Sequence, residues 1–147
     1  MDANGSVAEL FQKIQNRKNV EKEFRLSMYK ILVVDDEKPI HSYLQRKLTK
    51  LGYTVFVAED GEEALSMTLS SFPDIVLLDV KIPKINGIEV CKRIKSDPRT
   101  KNIPVLILSA KAQSEEIREG LDAGASKYLT KPISFPDILK EIQSYEE

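Results

Sequence analysis

Four short clusters in this 147-residue chain carry groups that could do chemistry, and each follows an apolar run. Asp35, Asp36 and Glu37 come after Ile31-Leu32-Val33-Val34, and Asp79 comes after Ile75-Val76-Leu77-Leu78. Ser109-Ala110 comes after Val105-Leu106-Ile107-Leu108, and Thr130-Lys131-Pro132 after Tyr128-Leu129. Three carboxylates gathered in one place repel one another and titrate upward unless a cation sits among them. Carboxylate, carbonyl and water oxygens suit a hard divalent ion, and Mg2+ typically keeps several waters while taking one or two carboxylates plus phosphate oxygens. A carboxylate beside Mg2+ and an ammonium can accept a phosphoryl group, because metal and lysine neutralise the equatorial oxygens of a loose transition state. Hydroxyl and backbone donors can then hold the remaining oxygen. Asp35, Asp36, Asp79, Ser109 and Lys131 each have a role in such a site, provided that the fold gathers them.

The elements able to do so are visible as an alternation. From Lys30 onward, five short β-branched runs (the four above and Val55-Phe56-Val57) read as strands. Between them, apolar residues recur at helical spacing: Ile40, Tyr43, Leu44, Leu48 and Leu51, then Ala64, Leu65, Thr68 and Leu69. Val90, Cys91 and Ile94 follow, then Ile117 and Leu121, and lastly Ile138, Leu139 and Ile142. Gly52, Gly61, Asn86-Gly87, Asp97-Pro98 and Gly124 supply stops and turns. Strands separated by covering helices imply a parallel sheet, so the pattern predicts an open, doubly wound (βα)5 α/β fold. In such sheets ligands bind beyond the carboxyl ends of the strands, where the four clusters lie.

Composition narrows the function classes. Length predicts one domain and a sizeable core. Twenty-two Lys+Arg against 23 Asp+Glu give a formal charge of −1, which lacks the basic footprint of a nucleic-acid binder. One cysteine makes no intrachain disulfide, and neither a leader nor an 18-residue apolar run is present, so the expectation is a soluble, cytoplasmic chain without membrane insertion.

The clusters also carry a resemblance. Ile-Leu-Val-Val-Asp-Asp-Glu at 31–37, Asp-Ile-Val-Leu-Leu-Asp-Val-Lys-Ile-Pro at 74–83 with Asn86-Gly87, Pro-Val-Leu-Ile-Leu-Ser-Ala at 104–110 and Gly-Ala-Ser-Lys-Tyr-Leu-Thr-Lys-Pro at 124–132 resemble the receiver domains of two-component response regulators. The likeness runs from about Lys30 to Tyr145 and is similar to that of single-domain chemotaxis and sporulation regulators. Asp36 and Asp79 stand 43 residues apart, Ser109 follows 30 later and Lys131 another 22.

That resemblance implies a flavodoxin-like sheet of order 2-1-3-4-5, the order for which a member of this family is itself a standard example. It also implies Asp79 as phosphoacceptor from the phosphohistidine of a histidine kinase or phosphotransfer protein. By the same token Asp36 binds Mg2+ directly, Asp35 largely through water, and the Lys81 carbonyl and Asp79 complete the metal's protein ligands. Ser109 and the Ala110 N–H take phosphoryl oxygens, Lys131 pairs with the phosphate, and the Lys131-Pro132 peptide is cis. Tyr128 matches the switch aromatic, which moves inward with Ser109 and alters the face formed by the repeat's fourth helix, fifth strand and fifth helix. A downstream protein partner reads that face. The chain is then a signalling switch and not an enzyme, beyond any self-phosphorylation or autodephosphorylation.

Singly, an aspartate after a strand is often a helix cap or turn residue; all five site positions together outweigh that reading. Lys131 alone reads as a solvated lysine, and Tyr128 alone as a half-buried strand residue. Lys81 and Lys111, two residues past Asp79 and Ser109, read either as surface lysines or as cations that overhang the phosphoryl group and shield it from water. His41 reads as an exposed helix position and Cys91 as core. Two other functions compete: a Mg2+-dependent phosphatase using Asp79, disfavoured because no cap domain, second acid/base or Gly-rich phosphate loop is evident, and a receiver-like scaffold that works without phosphorylation.

Residues 1–29 stand apart from the domain at 30–147. Val7, Leu10, Phe11 and Ile14 form one apolar stripe, and Val20, Phe24 and Met28 another, out of register with it. With five Lys/Arg against four Asp/Glu the segment is no basic arm. One or two helical turns are expected, folded back on the domain, partly disordered, or used for self-association or partner docking. Met28 could itself be a start, and about fifteen residues after Pro132 suffice for a last helix only. Dimerisation through the switch face or the N-terminal helix, and a place in a longer regulator, both stay open.

Overall fold

The computed structural model describes residues 3–146. Helix α1 (Ala3–Met28) precedes β1 (Lys30–Val34), α2 (Lys38–Lys50), β2 (Thr54–Ala58), α3 (Gly61–Ser71) and β3 (Ile75–Leu78). The chain continues through α4 (Gly87–Ser96), β4 (Val105–Ser109), α5 (Ser114–Asp122), β5 (Lys127–Thr130) and α6 (Phe135–Gln143). All strand pairings are parallel and the sheet order is β2-β1-β3-β4-β5, the flavodoxin-like arrangement.

Alternate residues of the central strands feed two cores. Leu32, Val34, Val76, Leu78, Val105 and Ile107 pack on one face with Val90, Cys91 and Ile94 of α4. Ile31, Val33, Ile75, Leu77, Leu106 and Leu108 pack on the other with Leu44 and Leu48 of α2 and Ile138 and Ile142 of α6. Runs buried on both faces are what a parallel sheet covered by helices requires. The edge strands differ: residues 54–57 of β2 are half-buried, as are Tyr128 and Leu129 of β5.

Side chains set the helix starts. Asp60 accepts from the Glu63 N–H at 2.8 Å, Asn86 from Glu89 N–H at 3.0 Å, and the Ser134 hydroxyl from Asp137 N–H at 3.2 Å. Proline in the first turn of α2 and of α6 costs no helical hydrogen bond there.

Three expectations need correction. The N-terminal segment is one continuous 26-residue helix instead of one or two turns, and it is not folded back on the domain: residues 6–25 are exposed throughout. It is held at its end, where Leu26 lies against Gly52 and the Ser27 carbonyl accepts from Thr54 Oγ1 at 2.5 Å. His41 is buried, on the same stripe as Leu44 and Leu48. Leu121 is exposed, because α5 approaches the sheet through Gly120: a Cβ there would stand 2.7 Å from the Tyr128 ring and 2.9 Å from Ile107 Cδ1.

Candidate functional site at the carboxyl ends of the strands

Strand register assembles the site. Val34 pairs with Leu78, so Asp35 and Asp79 leave adjacent strands side by side. Ser109 pairs with Thr130, which sets Lys131 beside Ser109, and the Lys131 N–H donates to the Ser109 carbonyl at 2.8 Å. Asp35 N–H donates to the Ala58 carbonyl at 3.1 Å and Asp79 N–H to the Val34 carbonyl at 2.9 Å, so each backbone is fixed by a neighbouring strand. The floor beneath Asp79 is closed by α4. A Cβ on Gly87 would lie 2.2 Å from the Asp79 carbonyl oxygen, so only glycine permits this approach.

One carboxylate oxygen from each of Asp35, Asp36 and Asp79 lies within 4.8 Å of the other two. Asp35 and Asp79 are buried and Asp36 is exposed, leaving the cluster an open side. Lys131 Nζ stands 2.9 Å from Asp35 Oδ2 and 3.4 Å from Asp79 Oδ2. Backbone donors serve the other oxygens, from Glu37 N–H to Asp35 Oδ1 at 2.9 Å and from Lys81 N–H to Asp79 Oδ1 at 3.3 Å.

Burial pushes the Asp79 carboxyl above the ordinary range; Lys131 opposes this and the Asp35 charge adds to it. Burial alone would lower the Lys131 ammonium, but its hydrogen bond to Asp35 and the charges of Asp79 and Asp35 raise it overall. A nucleophilic carboxylate with a fixed ammonium beside it, and three oxygen donors facing an open side, can hold a hard divalent cation and receive a phosphoryl group.

The remaining expected residues are placed around this centre. Ser109 is buried and its Oγ accepts from the Lys111 N–H at 3.1 Å, while Ala110 is exposed next to it. The Lys131-Pro132 peptide is cis. Tyr128 is half-buried and its hydroxyl donates to the Lys111 carbonyl at 2.6 Å, which ties β5 to the loop that presents Ser109. Lys81 and Lys111 are exposed and line one cleft of about 570 Å3 with Asn86, Glu89, Glu119 and Asp122. Cys91 is buried in the core, and burial pushes its thiol up to about 11.

Sequence reasoning missed two features. Gly87 could have been flagged only as a turn residue after Asn86; its packing on Asp79 needs the fold. His41 was signalled by its spacing to Leu44 and Leu48. Its ring nitrogens have no hydrogen-bond partner, and Nε2 lies 3.5 Å from Glu59 Oε1.

A model of the response regulator receiver domain family matches residues 31–143. The response regulator MprA of Mycolicibacterium vanbaalenii is 41% identical over 115 residues, covering 78% of this chain and 49% of the relative. MprA of Mycobacterium ulcerans is 42% identical over the same shares. The chain thus spans about half the length of the curated relatives it matches. Among solved structures, the chemotaxis protein CheY4 of Vibrio cholerae superposes with a TM-score of 0.75 at 33% identity, covering 80% of this chain and 98% of that one. A CheY-like response regulator receiver domain protein from Methanospirillum hungatei superposes at 0.75 with 28% identity, over 80% and 93%. No helix among the described residues is long and apolar enough to cross a membrane.

Proposed function

Because the chain belongs to the response regulator receiver domain family, we propose that it is a phosphorylation-operated switch with Asp79 as acceptor. The observation that carries this is the Asp35, Asp36 and Asp79 cluster closed on one side by Lys131. An Asp79 carboxylate oxygen attacks the phosphorus of a phosphohistidine on a histidine kinase or phosphotransfer protein. The new O–P bond makes an acyl phosphate as the P–N bond breaks and the imidazole leaves. Asp36, Asp35 and the Lys81 carbonyl, with Asp79, are suited to hold Mg2+, which neutralises phosphoryl charge when bound.

Lys131 Nζ, already 3.4 Å from Asp79, moves its pairing from the carboxylate to the phosphate. The Ser109 hydroxyl and the Ala110 N–H hold the other oxygens. Drawing Ser109 toward the phosphoryl group pulls on the loop that the Tyr128 hydroxyl grips through the Lys111 carbonyl. The packing of α5, β5 and α6 is thereby re-weighted, and a protein partner reads the change. Lys81 and Lys111, which share one cleft, supply cationic side chains that slow loss of the phosphoryl group to water.

Intact mass after incubation with acetyl phosphate tests the acceptor. One phosphoryl group is expected on the wild type with Mg2+, and none after chelation or in Asp79→Asn. Uptake by Asp79→Asn at the wild-type level would overturn the assignment.

A further inference from the structure

Among the described residues, helix α1 is fastened to the sheet and its covering helices only near its carboxyl end, yet it exposes Leu10, Phe11, Ile14, Val20, Phe24 and Met28, each between 48 and 71% accessible. A long helix standing free of tertiary contacts is marginal in water, since helices in proteins draw most of their stability from burying an apolar face.

The seam left open has a definite geometry. Leu10, Ile14, Arg17, Glu21, Phe24 and Met28 follow one another at alternating steps of four and three residues, the a/d spacing of a coiled coil, within an arc of about 80° at 100° per residue. On the other side of the helix, Asn19, Lys22, Glu23 and Leu26 line a cleft against Leu51, Tyr53 and α6. The seam therefore points away from the body of the protein and is free to receive another helix.

The two charges in the seam identify that helix. In a parallel pair of copies, Arg17 would meet Arg17 and Glu21 would meet Glu21, like charge against like. In an antiparallel pair centred on Asn19, each a position meets a d position. Leu10 then meets Met28 of the second copy, Ile14 meets Phe24, and Arg17 meets Glu21, each contact made twice. The two apolar stripes, out of register within one chain, come to lie opposite each other. Val20 meets its own copy on one edge of the seam; on the other edge Lys18 meets Lys18, whose long side chains can turn outward to solvent.

We infer that α1 is a self-association helix that pairs antiparallel with a second copy of this chain, in a register set by the Arg17–Glu21 pairs. The test is sedimentation equilibrium of the full chain over a wide concentration range, with cysteine cross-linking. The wild type should show a reversible monomer–dimer equilibrium, and Ile14→Asp should abolish the dimer. Arg17→Glu and Glu21→Arg should each weaken it about tenfold or more, equivalent to roughly 1.4 kcal/mol, and the double reversal should restore it.

A mixture of Ile14→Cys and Phe24→Cys chains should cross-link, while neither cross-links alone; Cys91 is buried and does not interfere. An unchanged unfolding transition of the sheet domain shows that each variant is folded. A monomer at every concentration, a dimer indifferent to Ile14→Asp, self-cross-linking of Ile14→Cys, or failure of the double reversal to restore would each overturn the inference.

Discussion

The rim of the sheet and helix α1 invert the usual partition of side chains in opposite senses. At the rim, Asp35, Asp79 and Ser109 are no more than 8% exposed, whereas in α1 Phe11 is 71% exposed. The rim's polar groups are compensated from within the chain, through the Lys131 ammonium and the N–H donors of Glu37, Lys81 and Lys111. Among the described residues, the apolar groups of α1 find no such compensation, because only the last turns of the helix reach the body. Buried polar groups survive where partners are built in, and exposed apolar rows mark a partner still to come.

Three measurements sharpen the contrast. Gly87→Ala has the largest expected effect: the added methyl meets the Asp79 carbonyl oxygen and the Val80 Cα at 2.2 and 2.7 Å, both backbone atoms that cannot rotate aside. A loss on the order of 3 kcal/mol in urea unfolding is expected, with weakened phosphoryl uptake. A change within about 0.5 kcal/mol would show that the rim is not closed by this contact.

Asp79→Asn should do the reverse and stabilise the fold at neutral pH, seen as a raised melting midpoint. The sign follows from the raised Asp79 titration. The folded state holds that proton more tightly than the unfolded chain does, so above its folded range the ionised carboxylate burdens the native state. The gain must shrink as pH falls through that range, since the wild type then carries a neutral group as well. A midpoint below the wild type at neutral pH would mean that the attraction to Lys131 outweighs burial and the Asp35 charge.

Phe11→Ala should have the smallest effect, within about 0.5 kcal/mol for unfolding of the dilute chain, despite removing a large aromatic side chain. A loss of the size usual for a buried phenylalanine, about 3–5 kcal/mol, would place Phe11 against the body.

Much of this architecture is legible in the residue order. Five apolar runs, four of them followed by a reactive residue, suffice for a parallel sheet and a common rim, because chain reversal by helices leaves few alternatives. The spacing of Asp36, Asp79, Ser109 and Lys131 becomes a cluster only through register, in which Val34 pairs with Leu78 and Ser109 with Thr130. What escapes the sequence depends on which neighbour approaches most closely. Leu121 has helical spacing to Ile117, yet Gly120 is the residue that lets α5 settle on Tyr128, leaving Leu121 in solvent. His41 looks polar and surface-bound, but it occupies the inward stripe of α2 beside Glu59. The length of α1 is equally hard to read, since its apolar residues follow no single stripe that packs on this chain.

Helix α1 joins β1 at Lys30, the end of that strand farthest from Asp35. Five residues of extended chain put about 17 Å between the junction and the rim. Whatever is carried at that lower pole is a handle on the back of the instrument. It can be lengthened, shortened or gripped at a distance from the tool face, and any message carried between the two along β1 passes through a strand whose Ile31–Val34 are buried.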